Sequence, residues 1–149
     1  MALLSAPVVA CGSSTPPPEV DELFAQIERA RNDSRLSTDA AAAARGEIVE
    51  ALTAVATERA AHAKALSDEL VRIHADVQTT SPSQPTTTTA EDAKAPTVQD
   101  VIGALKTSAQ SATGLAATSS GYRAGLLGSI AAACTAAYTV ALVPPEKPQ

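Results

Sequence analysis

The chain has 149 residues, a formal net charge of −5 and only 2% aromatic residues, so its hydrophobic fraction of 45% comes mainly from Ala, Val, Leu and Ile. This length corresponds to about one domain. Ala has the highest helix propensity, whereas sheets favour β-branched and aromatic residues, so the composition predicts an all-α protein. The acidic balance argues against nucleic acid as a partner, because binding it requires several cations placed against phosphates.

The N-terminal residues 1–10 form an apolar segment with the length of a signal peptide. The segment is too short to cross a bilayer, which needs about 20 apolar residues. Val8-Val9-Ala10-Cys11 resembles the lipobox of bacterial lipoproteins, in which the cysteine is acylated. We therefore predict a signal peptide over 1–10, lipidation of Cys11, and an extracytoplasmic protein held on the cell membrane by its lipid.

No Lys or Arg precedes Cys11, although signal peptides begin with a positively charged region. We attribute this to a start codon placed too far downstream. The alternative is an apolar tail on a cytosolic protein. Residues 11–18 end in three prolines, which favour an extended backbone and predict a semi-rigid spacer between anchor and domain.

Two helices are predicted in the first half of the domain. The first runs from about Pro18 to Arg35, with acidic residues at its start and Arg29, Arg31 and Arg35 at its end, as the helix dipole favours. The second follows an N-cap in residues 37–39 and reaches about Val77, with Gly46 as a local weak point. Their apolar residues at helical spacing are Val20, Leu23, Phe24, Ile27, Ile48, Leu52, Val55, Leu66, Leu70, Ile73 and Val77.

Residues 78–96 interrupt the helical pattern with three prolines and a run of four threonines. The composition predicts a disordered linker that divides the chain into two helical hairpins. In an exported protein such a segment is either O-glycosylated or a bare loop, and the sequence leaves both open.

Two further helices are predicted after the linker. Thr97 and Asp100 form a capping pattern before a helix that carries Val98, Val101, Ile102, Leu105, Ala109 and Ala112 at helical spacing. Residues 118–121 predict a turn. The fourth helix, about 122–142, has no charge after Arg123. We favour a central bundle helix over a membrane span through 124–143, because Ala, Gly, Ser and Thr dominate the segment. Its small residues Gly125, Gly128, Ala132 and Ala136 would allow close helix approach.

Together these elements predict a ferritin-like four-helix bundle over residues 19–143, followed by a short tail over 144–149. Ferritin-like metal sites use Glu residues and Glu-x-x-His motifs on the bundle helices. Here Arg59 stands three residues before His62 and Val71 three before His74, and the third and fourth helices have neither Glu nor His. We therefore expect no metal, no cofactor and no catalytic residues, and hence a protein that is not an enzyme.

Arg59 falls almost at the centre of the apolar stripe of the second helix, while Glu58 and His62 lie four apart on one face. In the structural interpretation Glu58 and His62 form a helical pair, and Arg59 snorkels or pairs with an acid of the first helix such as Glu28. Arg59→Leu would then be tolerated, provided that no partner acid is stranded. In the functional interpretation Glu58, Arg59 and His62 line a small polar pocket that binds a ligand or metal ion.

Cys134 is the second cysteine of the chain and lies within Ala131-Ala132-Ala133-Cys134. No His or charged residue stands within a helical turn of it to lower the pKa of its thiol, so we expect a small buried hydrophobic residue rather than a nucleophile.

The lipobox-like start, the segment 57–66, the Pro/Thr linker and the stretch 125–134 together resemble uncharacterised alanine-rich lipoproteins of mycobacteria and related actinobacteria, some of which have a ferritin-like helical bundle. The resemblance implies fold and location but no activity. From it and the residues above we expect a non-catalytic cell-envelope lipoprotein that acts by binding or scaffolding, with an envelope protein or a small ligand as its partner.

Overall fold

The computed structural model describes residues 18–73 and 94–143. Within these two ranges the chain is all-α, as predicted, and contains no β-strand. The helices are α1 (Pro18–Ala43), α2 (Ile48–Ile73), α3 (Val98–Thr118) and α4 (Gly121–Ala136), and a π-helical turn (Ala137–Ala141) continues α4. The predicted signal peptide, Cys11 and most of the predicted linker lie outside the described residues.

The helices form two packed pairs, α1 with α2 and α3 with α4, and contacts between α1 and α3 join the pairs. Contact between α2 and α4 is slight. Each helix buries one apolar stripe in a common core. Its largest apolar side chains are Leu23, Ile27, Leu52, Leu66, Leu70, Leu105, Leu127, Ile130 and Leu142. Burying each such side chain contributes roughly 1.5–3 kcal/mol, so these residues carry most of the hydrophobic stabilisation. The arrangement is consistent with a helical bundle.

The predicted boundary between the first two helices is wrong. We expected residues 37–39 to cap the second helix, but α1 continues through them to Ala43. The hydroxyls of Ser37 and Thr38 donate to the carbonyls of Asp33 and Ser34, four residues earlier, at 2.7 and 2.9 Å. Because these hydroxyls are satisfied inside the helix, they do not cap a new one.

The chain instead turns at residues 44–47, where Gly46 has a φ of +76° that favours glycine. Gly46 therefore lies in the turn that joins α1 to α2, before α2 begins, and is not a weak point within α2. Arg29, Arg31 and Arg35 consequently lie in the middle of α1, and its last turn contains no basic residue. The basic residues that we expected at the C-terminal end of the helix, where they would interact favourably with the dipole, are absent from that turn.

The start of α3 and the turn after it agree with the sequence. Thr97 and Asp100 form a complete capping box, in which the Thr97 side chain accepts from the Asp100 amide and the Asp100 side chain accepts from the Thr97 amide. Helix α3 ends at Thr118, and Gly121 enters α4 with a φ of +57°. Both boundaries therefore fall where the capping and turn residues predicted them.

Helix α4 buries one face only and is not a central helix. The segment Gly121–Ala141 is long and apolar enough to cross a membrane by length and composition, and 28% of its most apolar window is buried within the structure. The predicted role of its small residues is also wrong within this chain. Gly125, Gly128, Ala132 and Ala136 are exposed, and a Cβ added at either glycine would meet no atom within 4 Å.

Two glycines test the assigned turn. Gly46→Ala should lower the free energy of unfolding by about 1 kcal/mol, because an L side chain disfavours positive φ. Gly103→Ala is the matched control, since Gly103 is exposed on α3 and equally free of neighbours. The control should raise stability by roughly 0.5–1 kcal/mol. Urea unfolding measures both, and a stabilising Gly46→Ala would contradict the position of the turn.

Candidate functional site

A buried ion pair joins α1 to α2. Arg59 donates to Asp33 Oδ2 from Nε at 3.1 Å and from Nη2 at 3.0 Å, and the two side chains are only 3% and 6% exposed. Ser108 of α3 donates its hydroxyl to the same oxygen at 2.5 Å. The Asp33 carboxylate therefore accepts hydrogen bonds from α2 and from α3, so three of the four helices meet at this point.

The helical repeat places both charges in the core. Asp33 follows buried Ala30 by three residues and precedes buried Ser37 by four, so it lies on the inner face of α1. Arg59 similarly follows buried Val55 on α2. A buried guanidinium needs a partner that is also buried, since an unpaired charge in the core is strongly destabilising.

The prediction that Arg59 pairs with an acid of the first helix is confirmed, but that acid is Asp33 and not Glu28, the example suggested above. Glu28 is partly exposed and accepts from Arg31 at 2.7 Å along the surface of α1. Asp33 was not singled out, because the apolar residues that defined the inner face, from Val20 to Ile27, all lie in the first half of α1. The error came from ending the first helix at Arg35, which left too few residues to define the inner face around position 33.

Of the three residues of the hypothetical pocket, the structure brings Arg59 and His62 into contact. Arg59 is buried and directs Nη1 to His62 Nδ1 at 3.1 Å, and His62 is partly buried. Glu58 is exposed and makes no hydrogen bond or ion pair with any described residue. Because Arg59 donates, His62 Nδ1 accepts, and the neutral ring carries its proton on Nε2. Burial, aided by the Arg59 charge, lowers the pKa of His62 to about 4.

Cys134 lies in the core as predicted. Its residue is 1% exposed and the thiol is free. Burial raises the pKa of the Cys134 thiol, the opposite of what nucleophilic catalysis requires. Among residues 18–73 and 94–143, no group of three or more His, Cys, Asp and Glu side chains is arranged to hold a metal ion.

A second buried acid was not predicted. Glu69 is fully buried, and Arg72 binds both of its oxygens from Nε and Nη2 at 2.6 and 2.7 Å. The Arg72 guanidinium also lies 5.9 Å from the ring centre of Tyr122, at the start of α4. This contact lies where α2 and α4 otherwise touch little, and it links the ends of the two helix pairs.

No known protein family, no curated protein and no solved structure matches this chain.

The buried pair gives a mutational prediction that replaces the expected tolerance of Arg59→Leu. The single variant strands the Asp33 carboxylate and should lower stability by about 3–5 kcal/mol. Replacing the cluster together (Asp33→Leu, Arg59→Leu and Ser108→Ala) should recover most of that loss. Urea unfolding measures both, with exposed Arg35→Leu as the control, expected within about 0.5 kcal/mol of wild type. A single variant as stable as that control would show that Asp33 and Arg59 are not a buried pair.

His62 gives a prediction for pH. Its pKa is about 4 in the folded protein against 6.5 when unperturbed, so only the unfolded chain gains this proton between these values. The contribution of His62 to stability is therefore complete above pH 6.5 and is lost as pH falls towards 4. Unfolding measured at pH 7 and 4.5 should show a smaller loss for His62→Gln than for wild type. Carboxylates titrate in both proteins, so equal losses would exclude a depressed pKa for His62.

Proposed function

We propose that the protein is a non-catalytic cell-envelope lipoprotein, anchored through a lipid on Cys11, which acts by binding or scaffolding. The pairing of its core polar groups with each other is the main support for a non-catalytic role. Asp33 accepts from Arg59 and Ser108, and the third nitrogen of Arg59 contacts His62. Groups satisfied in this way stabilise a fold and leave no free acid or base at the centre of the bundle.

The proposed fold is the ferritin-like form of the four-helix bundle, with residues 78–96 as the connection between two helix pairs. The close packing of α1 on α2 and of α3 on α4 supports this topology. The proposed relatives are the alanine-rich lipoproteins of mycobacteria and related actinobacteria. Helix α1 begins seven residues after Cys11, and an extended spacer of that length would hold the bundle within about 25 Å of the membrane.

The alternative proposal is a ligand- or metal-binding site, with enzymatic activity in its strongest form, around Glu58, Arg59 and His62. It has less support, because Arg59 is engaged with Asp33 and its positive charge beside His62 opposes a metal cation. Metal analysis of the purified chain distinguishes the two proposals. Stoichiometric iron, manganese or zinc would favour the alternative.

The proposed anchor predicts that Cys11→Ser moves the protein from the membrane fraction to the soluble fraction and abolishes incorporation of labelled palmitate. Two or three acyl chains hold a protein firmly, so their loss should be decisive. Cys134→Ser is the matched control, because that cysteine is buried and should leave both readouts unchanged. Wild-type protein without label would refute the anchor. A Cys11→Ser variant that still needs detergent would favour a membrane span through α4.

A further inference from the structure

The surface between α1 and α2 carries two open depressions that share Ser34 and Ala60, and together we call them the groove. One stretch has a volume of about 470 Å³ and is bordered by Arg31, Arg35 and Lys64 over Ala60. The adjoining stretch, of about 380 Å³, also includes Ala60 and contains no charged residue. Both volumes fall within the range of small-molecule sites. The groove therefore has a cationic half and an uncharged half.

The cationic half can accept a negative group. Arg35 contacts the side-chain oxygen of Asn32 and has no carboxylate partner among the described residues. Arg31 is paired with Glu28 in a half-exposed i,i+3 pair, and Lys64 with Asp68 in an exposed i,i+4 pair. Such pairs contribute little and exchange readily for another anion.

The uncharged half is less polar than its threonines suggest. The hydroxyls of Thr38, Thr53 and Thr57 each donate to the carbonyl four residues earlier, at 2.8 to 3.0 Å. Ser34, where the two stretches meet, donates across the groove to the carbonyl of Ala56 at 2.8 Å. Because these hydroxyl hydrogens are engaged, the half presents mainly methyl groups and alanine side chains to a ligand.

We propose that this groove binds a single-chain anionic amphiphile, with its carboxylate or phosphate headgroup at Arg31, Arg35 and Lys64 and its acyl chain along the uncharged half. Arg31 and Ala41 are ten positions apart on α1, which gives the groove a length of about 15 Å. An anionic amphiphile has a charged headgroup for the cationic half and an apolar chain for the uncharged half. An inorganic anion lacks the chain, and a neutral lipid lacks the charge.

This inference deepens the binding role proposed above by naming the ligand class. Its test measures affinity in the purified full chain and does not depend on acylation of Cys11. A chain that binds no amphiphile would contradict the proposed ligand but not the proposed lipid anchor. A chain without acylation would contradict the anchor but not the proposed ligand.

The test is calorimetric titration of the full chain with laurate and with dodecyl phosphate, which distinguishes a fatty-acid headgroup from a phosphate headgroup. At least one should bind, and removing the three cations (Arg31→Gln, Arg35→Gln and Lys64→Gln) should weaken binding at least about tenfold, because charge-assisted hydrogen bonds are lost. Ala60→Phe should weaken it similarly by filling the groove, since Ala60 is exposed and borders both halves.

Two controls match these variants. Ala61→Phe changes an exposed neighbour on α2 outside the groove, and Arg45→Gln removes an exposed cation at the α1–α2 turn. Both should bind like wild type. The proposal is overturned if neither amphiphile binds, if inorganic phosphate or neutral dodecanol binds equally well, or if the groove variants keep wild-type affinity. Circular dichroism of each variant confirms that it is folded.

Discussion

The contact of Asp33 with Arg59 constrains the rest of the bundle. Apolar contacts are non-directional, so the Leu, Ile and Val side chains of the core tolerate a shift of α1 along α2 more easily than a charged contact does. A buried carboxylate and guanidinium do not permit this, because any displaced register leaves a charge unpaired at a cost of about 3–5 kcal/mol. Ser108 donates to the same oxygen and extends the constraint to α3. The pair therefore adds specificity of arrangement to the apolar packing of the core.

The elements that the sequence predicted well are those with a local cause. The capping box at Thr97 and Asp100, the turn before Gly121 and the apolar stripes of the first three helices depend on residues within a few positions of each other. The burial of Arg59 and Cys134 was also predictable, because Arg59 lies within the apolar stripe of α2 and Cys134 continues an apolar segment of α4. These features need no knowledge of the neighbouring helix.

The failures have long-range causes. Residues 37–39 have the composition of an N-cap, but the buried environment of Ser37 favours continuing α1 and lets its hydroxyl return to Asp33. Local propensity was overridden by the apolar face that Ala40 extends towards the core. The partner of Arg59 was placed on the correct helix, but Glu28 was named instead of Asp33. Choosing among several acids requires the rotation of α1, and that rotation is defined only over its full length. Sequence spacing thus identified which residue needed a partner but not which residue supplied it.

The same composition accounts for the core and for the surface groove. Small side chains on the facing sides of α1 and α2 let Ser34 reach the Ala56 carbonyl directly, so the helices lie close together. Alanine at position 60 is too short to fill the space at the edge of this contact, and a groove remains. Because α1 is longer than its local signals indicate, Arg31 and Arg35 border that groove in mid-helix instead of completing a helix end. The extension of α1 by eight residues therefore turns a presumed helix terminus into a cationic surface in mid-helix.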